Sequence, residues 1–176
     1  LRGPKGVGAL SCNLDWAVEP LQWGGGQERG LRPGTLPVPL IIGFAKAAEL
    51  ARSDLASRSQ RLERLRRRRW EGLERRQPTL VLNGDAIARL PHNLNITIPG
   101  ISGSKLHQAL RSRVACSSGS ACSRGEPSHV LMALGRSRQE AEASLRLSLG
   151  RSTTEHEIDQ AIQAINDVIH QLRHKP

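Results

Sequence analysis

The chain has 176 residues, 38% of them hydrophobic, and 26 Lys+Arg against 16 Asp+Glu leave a net charge of +10. That length allows one ordinary domain, or a small domain joined to part of another. The positive balance suits acidic partners or solubility and says nothing of fold, while three Trp, one Phe and no Tyr give few of the stacking platforms that sequence-tolerant nucleic-acid grooves need.

Three cysteines, Cys12, Cys116 and Cys122, are too few and too odd in number for a secreted disulfide scaffold. No spacing resembles a metal-ligand set. The best apolar run, from Leu36 to Leu50, is broken by Pro37, Pro39, Lys46 and Glu49, so no membrane span or signal peptide is expected. The cytoplasm, or an organelle stroma or matrix, is the expected compartment. Because the first residue is Leu, the natural start is expected upstream.

Taken in order, Gly3-Pro4-Lys5-Gly6 predicts a turn and Val7-Gly8-Ala9-Leu10 a short buried strand, which Cys12 would follow. Trp23 to Thr35 is a glycine-rich loop, which reads either as ordinary turns or as backbone that can approach a ligand, with Glu28, Arg29, Arg32 and Thr35 supplying polar groups. Apolar residues at helical intervals from Ile41 to Leu73 predict one long helix or two in line, closed by Pro78. Its second half, Arg61 to Arg76, is strongly basic. It reads either as a dock for nucleic acid or acidic protein, or as a solvated face with Glu–Arg pairs; we adopt the second.

Strands are predicted at Thr79–Leu82 and Leu94–Ile98, a helix over 104–112, and a short strand at Val114–Cys116. Ser117 to Pro127 contains only small residues around Cys122, so it reads as a mobile loop able to deliver a thiol. A chance cysteine in a Ser/Gly linker is the alternative. Pro127 suits the first turn of a helix whose apolar side is Val130, Leu131 and Leu134, stopped by Gly135. Leu145–Leu149 alternates as a strand. Thr154 and Glu157 form a capping box for a last helix with Ile158, Ile162, Ile165 and Ile169 on one face. From Pro78 the order is β-β-α-β-α-β-α, an α+β domain with a mostly antiparallel sheet.

Five segments in this order resemble the cysteine desulfurases, class V pyridoxal-phosphate enzymes: Gly3 to Leu10, Gly24 to Thr35, Ser117 to Cys122, Glu126 to Leu131, and Arg146 to Arg151. The resemblance implies the C-terminal portion of a fold-type I transferase. Residues 1–36 would be the tail of the large cofactor domain, 37–77 a long connecting helix, and 78–176 the small domain carrying the cysteine loop. It implies that pyridoxal phosphate is the cofactor, that L-cysteine is converted to alanine, and that Cys122 carries the sulfur as a persulfide. Arg146 would bind the substrate carboxylate, and Thr35 would reach the cofactor phosphate of the neighbouring subunit of a homodimer. The acceptor would be a sulfur-carrier or iron–sulfur scaffold protein, serving cluster assembly or tRNA thiolation.

Two departures stand out. The family's cofactor lysine directly precedes the Gly-Pro-Lys-Gly turn, where this chain has only Leu1-Arg2. The chain is therefore expected to begin just after that lysine and to be inactive alone. The stretch between Cys122 and Glu126 is also shorter than in the bacterial housekeeping type, which leaves the acceptor open. Three other readings remain: a related sulfur or selenium lyase, a non-catalytic sulfur-acceptor scaffold, or a basic nucleic-acid-binding module on Arg61 to Arg76. No nucleic-acid or membrane partner is expected.

Overall fold

The computed structural model describes residues 1–13, 15–117 and 126–174. It falls into two units, Leu1–Ala56 and Ser57–Pro176. In the first, the Gly3–Gly6 turn forms as expected, with Gly6 at φ 93°. It lies on helix α1 (Val38–Ser53), which Pro39 opens at a position where its missing N–H costs nothing. Gly43 makes that contact possible, since a Cβ there would stand 2.6 Å from Pro4 Cγ. The strand expected at residues 7–10 is absent, and residues 8–10 are exposed. A strand needs a ladder partner for its N–H and C=O groups, and the described sheet lies wholly in the other unit. Cys12, expected to be buried, is an exposed free thiol.

Helix α2 (Leu55–Arg76) follows after a break at Asp54, where φ is −105° and ψ 8°. The long helical stretch is thus two helices. Past its first two residues, α2 belongs to the second unit. It turns Leu62, Leu65, Arg69, Gly72 and Leu73 inward. Gln77, held before Pro78, is buried. It donates to Asn166 at 3.0 Å and accepts from Arg173 at 2.8 Å, tying the end of α2 to the last helix.

Strands β1 (Val81–Leu82), β2 (Asn93–Thr97) and β3 (Ser144–Ser148) form one antiparallel sheet in the order β1-β2-β3. Leu94 pairs with Leu147 and Ile96 with Leu145, so the period-two pattern sends these leucines and isoleucines to one face. That face packs on α2, α3 (Gly103–Leu110) and α6 (Glu155–His174) in a single apolar cluster. The Thr154–Glu157 capping box is formed, with Glu157 N–H donating to Thr154 Oγ1 at 3.2 Å and Thr154 N–H to Glu157 Oε2 at 2.7 Å. All four isoleucines named for α6 are buried.

Three expectations need correction. Val114–Cys116 forms no ladder; the pairing comes one residue later, as a single antiparallel bridge between Ser117 and Arg146. Pro127 lies outside helix α4 (His129–Ala133), whose N-cap is Ser128. Of that helix's apolar residues only Leu131 is buried, and Val130 and Leu134 face solvent. A five-residue helix α5 (Arg138–Glu142), closed by a Ser137–Glu140 capping box, occupies a stretch for which no element was expected. The order from Pro78 is therefore β-β-α-α-α-β-α.

Candidate active site

Register and pleat together put Asn95 opposite Arg146 and Thr97 opposite Ser144 on the sheet face away from the apolar cluster. Thr97 and Ser144 are buried there, 2.8 Å apart through their hydroxyls. Asn83 joins them, donating to Asn95 Oδ1 at 2.8 Å and Thr97 Oγ1 at 2.9 Å. Arg136 caps the group, its Nε donating to Asn83 Oδ1 at 2.7 Å. A buried polar group whose members satisfy one another is rigid, because losing any bond leaves a desolvated dipole.

Arg146 stands beside this rigid group, exposed, and no acidic side chain pairs with it among the described residues. Its backbone is fixed on both sides. It pairs with Asn95 in β2, and it exchanges two bonds with Ser117, at 2.7 and 3.1 Å. Its guanidinium also donates to Ser117 Oγ at 3.3 Å. Most of its donors have no partner among the described residues, and a guanidinium fork on a rigid strand suits a carboxylate.

Ser117 precedes Cys122 by five positions. Cys122 itself lies outside the described residues. Beyond it, Glu126 pairs with Arg138 at 3.1 Å, and Ser128 accepts from Leu131 N–H to start α4. Both described flanks of the cysteine segment are therefore held by the second unit.

Cys116 is half-buried, with its sulfur 3.9 Å from His107 Nδ1 on α3. Burial pushes its thiol pKa up. Burial also lowers the His107 pKa, more than a hydrogen bond with the Ser144 backbone raises it. Both shifts favour neutral forms, the opposite of what activates a cysteine nucleophile.

Thr35 belongs to the first unit. The loop before it folds on itself through Gln27, whose Oε1 accepts from Gly34 N–H at 3.2 Å. Gly24 allows Pro33 to close in, since a Cβ there would lie 2.8 Å from Pro33 Cβ. Glu28 and Arg29 are both left-handed, at φ 50° and 61°. Two consecutive non-glycine residues in that region store backbone strain of the kind that gathers at binding loops. Thr35 is exposed and its hydroxyl has no partner among the described residues.

The sequence reading named Arg146 and Thr35 as candidates and did not anticipate the polar group beside Arg146 in the second unit. Asn83 directly follows the predicted Thr79–Leu82 strand and Ser117 opens the predicted loop, so neither carried a site signal. Asn95 and Thr97 were legible as the polar half of an alternating strand. Arg136 carries no local signal, because its partner is 53 positions away.

The sheet of the second unit thus has one apolar and one polar face with Arg146 on the polar one, and the glycine-rich loop belongs to the first unit. The family model for class-V aminotransferases matches residues 1–161, and the chain belongs to that family. It is 45% identical over 175 residues to the cysteine desulfurase IscS of Aeromonas salmonicida, an alignment covering 97% of this chain and 43% of that protein. A solved structure of a NifS-like protein superposes with a TM-score of 0.83 at 34% identity, covering 97% of this chain and 44% of the other. A NifS-like protein from Rickettsia africae gives 0.75 at 29%, covering 88% and 41%. The chain thus spans less than half the length of these relatives.

The residues present fit one end of the family's cofactor. An exposed Thr35 hydroxyl, without a partner among the described residues and beside the left-handed Gly34 (φ 106°), is suitable donor chemistry for a phosphate. No residue of this chain is assigned as the covalent anchor.

Proposed function

We propose that the complete protein is a cysteine desulfurase working as a homodimer, releasing L-alanine from L-cysteine and holding the sulfur on Cys122. One observation carries the reading: Arg146, free of any carboxylate partner among the described residues, is bridged through its backbone to Ser117, at the root of the Cys122 segment. A substrate held there by its carboxylate would be held close to the start of that segment.

Pyridoxal phosphate, when bound, supplies the electron sink that loosens bonds around the substrate α-carbon. Thr35 would hold its phosphate from the neighbouring subunit. Arg146 holds the substrate carboxylate with two parallel N–H donors. The Cys122 thiolate attacks the substrate sulfur. An S–S bond forms, the carbon–sulfur bond breaks with its electron pair left on carbon, and a proton delivered to that carbon completes alanine. The sulfur then passes to an acceptor protein for iron–sulfur cluster assembly or tRNA thiolation. Cys116, held as a thiol, takes no part.

The test uses the complete protein with pyridoxal phosphate and cysteine, following alanine release while mass spectrometry maps the persulfide. Cys122→Ser is expected to abolish sulfur transfer, since a hydroxyl does not replace a thiolate, while Cys116→Ser and Cys12→Ser retain most of it. Arg146→Ala is expected to raise the KM for cysteine roughly ten- to a hundred-fold, the loss of about 1.5–3 kcal/mol from a charged hydrogen-bonded contact. A persulfide on Cys116, or an unchanged KM in the arginine variant, overturns the assignments.

A further inference from the structure

The basic half of α2 plays no part in the desulfurase reading, and the structure gives it a shape. Between α2 and α6 runs a groove of about 450 Å³ with Arg64, Arg67, Arg68, Arg75 and Arg76 along it. Only Glu71 and Asp159 among its lining residues are acidic, so it carries a net charge of +3. Its floor is apolar. Gly72 lies against Ile162 so closely that a Cβ would stand 2.5 Å from Ile162 Cδ1.

The arginines are not equally engaged. Arg68 is committed, with two bonds to Asp159 at 2.9 and 2.7 Å that hold the helices together. Arg64 and Arg67 reach carboxylates only at 3.9 and 3.8 Å, beyond hydrogen-bond length. Arg76 donates to the Gly72 carbonyl at 3.0 Å. Arg75 has no partner among the described residues. From Arg64 to Arg75 these guanidinium groups, paired only loosely or not at all among the described residues, span three helical turns, about 16 Å.

We propose that this groove docks an acidic helical segment of a partner protein, its carboxylates meeting Arg64, Arg67 and Arg75 and its aliphatic residues lying on the Gly72–Ile162 floor. A phosphodiester chain fits less well. It carries charge at every step and would run its phosphates past Glu71 and Asp159. It also gains from aromatic platforms, and Trp70, the aromatic residue of this helix, is turned into the apolar cluster. A helix can place charges at chosen turns and leave apolar positions between them. Attraction of this kind is set by charge complementarity and is screened by salt.

The probe is a fluorescein-labelled 20-residue helical peptide with Glu at positions i, i+4, i+7 and i+11 and Leu between them on the same face. Fluorescence anisotropy is read on the full 176-residue chain at 50 and 200 mM NaCl. The acidic peptide is expected to bind, more weakly at higher salt, and the same peptide with Gln for Glu is not. Arg67→Glu with Arg75→Glu should weaken binding at least tenfold. Arg111→Glu with Arg113→Glu, an equal charge change at exposed residues outside the groove, should leave it unaltered. Arg67→Gln with Arg75→Gln, which removes charge without reversing it, should weaken binding at least threefold; thermal melts by circular dichroism check that each variant is folded. Failure of the acidic peptide to bind at low salt, or equal binding by the groove variants, overturns the proposal. So does tighter binding of a 20-nucleotide single-stranded RNA that the groove variants abolish, which would make the groove a nucleic-acid site.

Discussion

Arg69 is a buried arginine held at a cost. It is 4% exposed, its NH2 group donates to the Leu147 carbonyl at 2.7 Å, and burial pulls its pKa down to about 10. Against an ordinary 12.5, that shift, set by burial first and the neighbouring Arg66 charge second, costs the charged form roughly 3 kcal/mol. Removing the side chain would forfeit one hydrogen bond and orphan a carbonyl, at about 1–3 kcal/mol. The first effect is the larger, so Arg69→Met, which keeps volume without charge, is expected to stabilise the chain by on the order of 1 kcal/mol. A higher urea midpoint at unchanged slope is the readout. The cysteines differ in the same physical way. Burial raises the Cys116 pKa, so at any pH below it a smaller fraction is thiolate than in an ordinary cysteine. Cys12 is exposed. Iodoacetamide at pH 8 should therefore label Cys12 well before Cys116, read by peptide mass mapping. Equal rates would mean that Cys116 is an open, reactive thiol and would weaken its exclusion from the chemistry.

At the scale of elements, the sharpest constraint is where α3 meets the end of α5. A Cβ on Gly103 would lie 1.9 Å from the Glu142 carbonyl oxygen and 3.3 Å from the Ala143 nitrogen. These are backbone atoms leading into β3, so no side chain can swing aside. Gly103→Ala is expected to destabilise by about 2–3 kcal/mol, the range for forced overpacking, and to lower the melting temperature by several degrees. Gly72 is a softer case, because its clash is with the end of the Ile162 side chain and alanine recovers up to about 1 kcal/mol of helix propensity. Nothing in the string around Gly103 announces that role, since the carbonyl it admits is 39 positions away. What was legible depended on local period. The α6 face, its capping box, and strands β2 and β3 could be read from alternation and turn residues alone. α5 was missed because a helix of five residues has no room for a period. Arg69 was missed because an arginine among arginines looks like surface until Leu147 is placed beneath it. The candidate residues split in the same way: Arg146 and Thr35 were named from the family's motifs, whereas Asn83 and Arg136 meet through a contact that only the fold creates.

At the scale of the whole chain, apolar burial is unevenly distributed. Every buried hydrophobic residue among those described lies between Leu62 and Ile169. In Leu1–Ala56 no described side chain is buried, and Leu21 and Trp23 are 98% and 86% exposed. Folding is driven chiefly by removing apolar surface from water, and each ordered residue costs about 1–2 kcal/mol of backbone entropy. The second unit has a cluster of leucines and isoleucines to offset that cost, whereas the first has one helix, a turn packed on it and a loop folded on Gln27. The two should therefore separate in hydrogen exchange on the 176-residue chain. Amides of β2, β3 and the inner faces of α2 and α6 are expected to open only with global unfolding, and those of α1 to exchange through local opening orders of magnitude faster. Urea should abolish protection in the second unit in one transition and find little left to abolish in the first. If α1 amides instead prove as slow as those of β2, the first unit draws stability from a source other than its own buried side chains. Repeating the exchange on the complete protein would then tell whether α1 slows further when the rest of the chain and a second subunit are present.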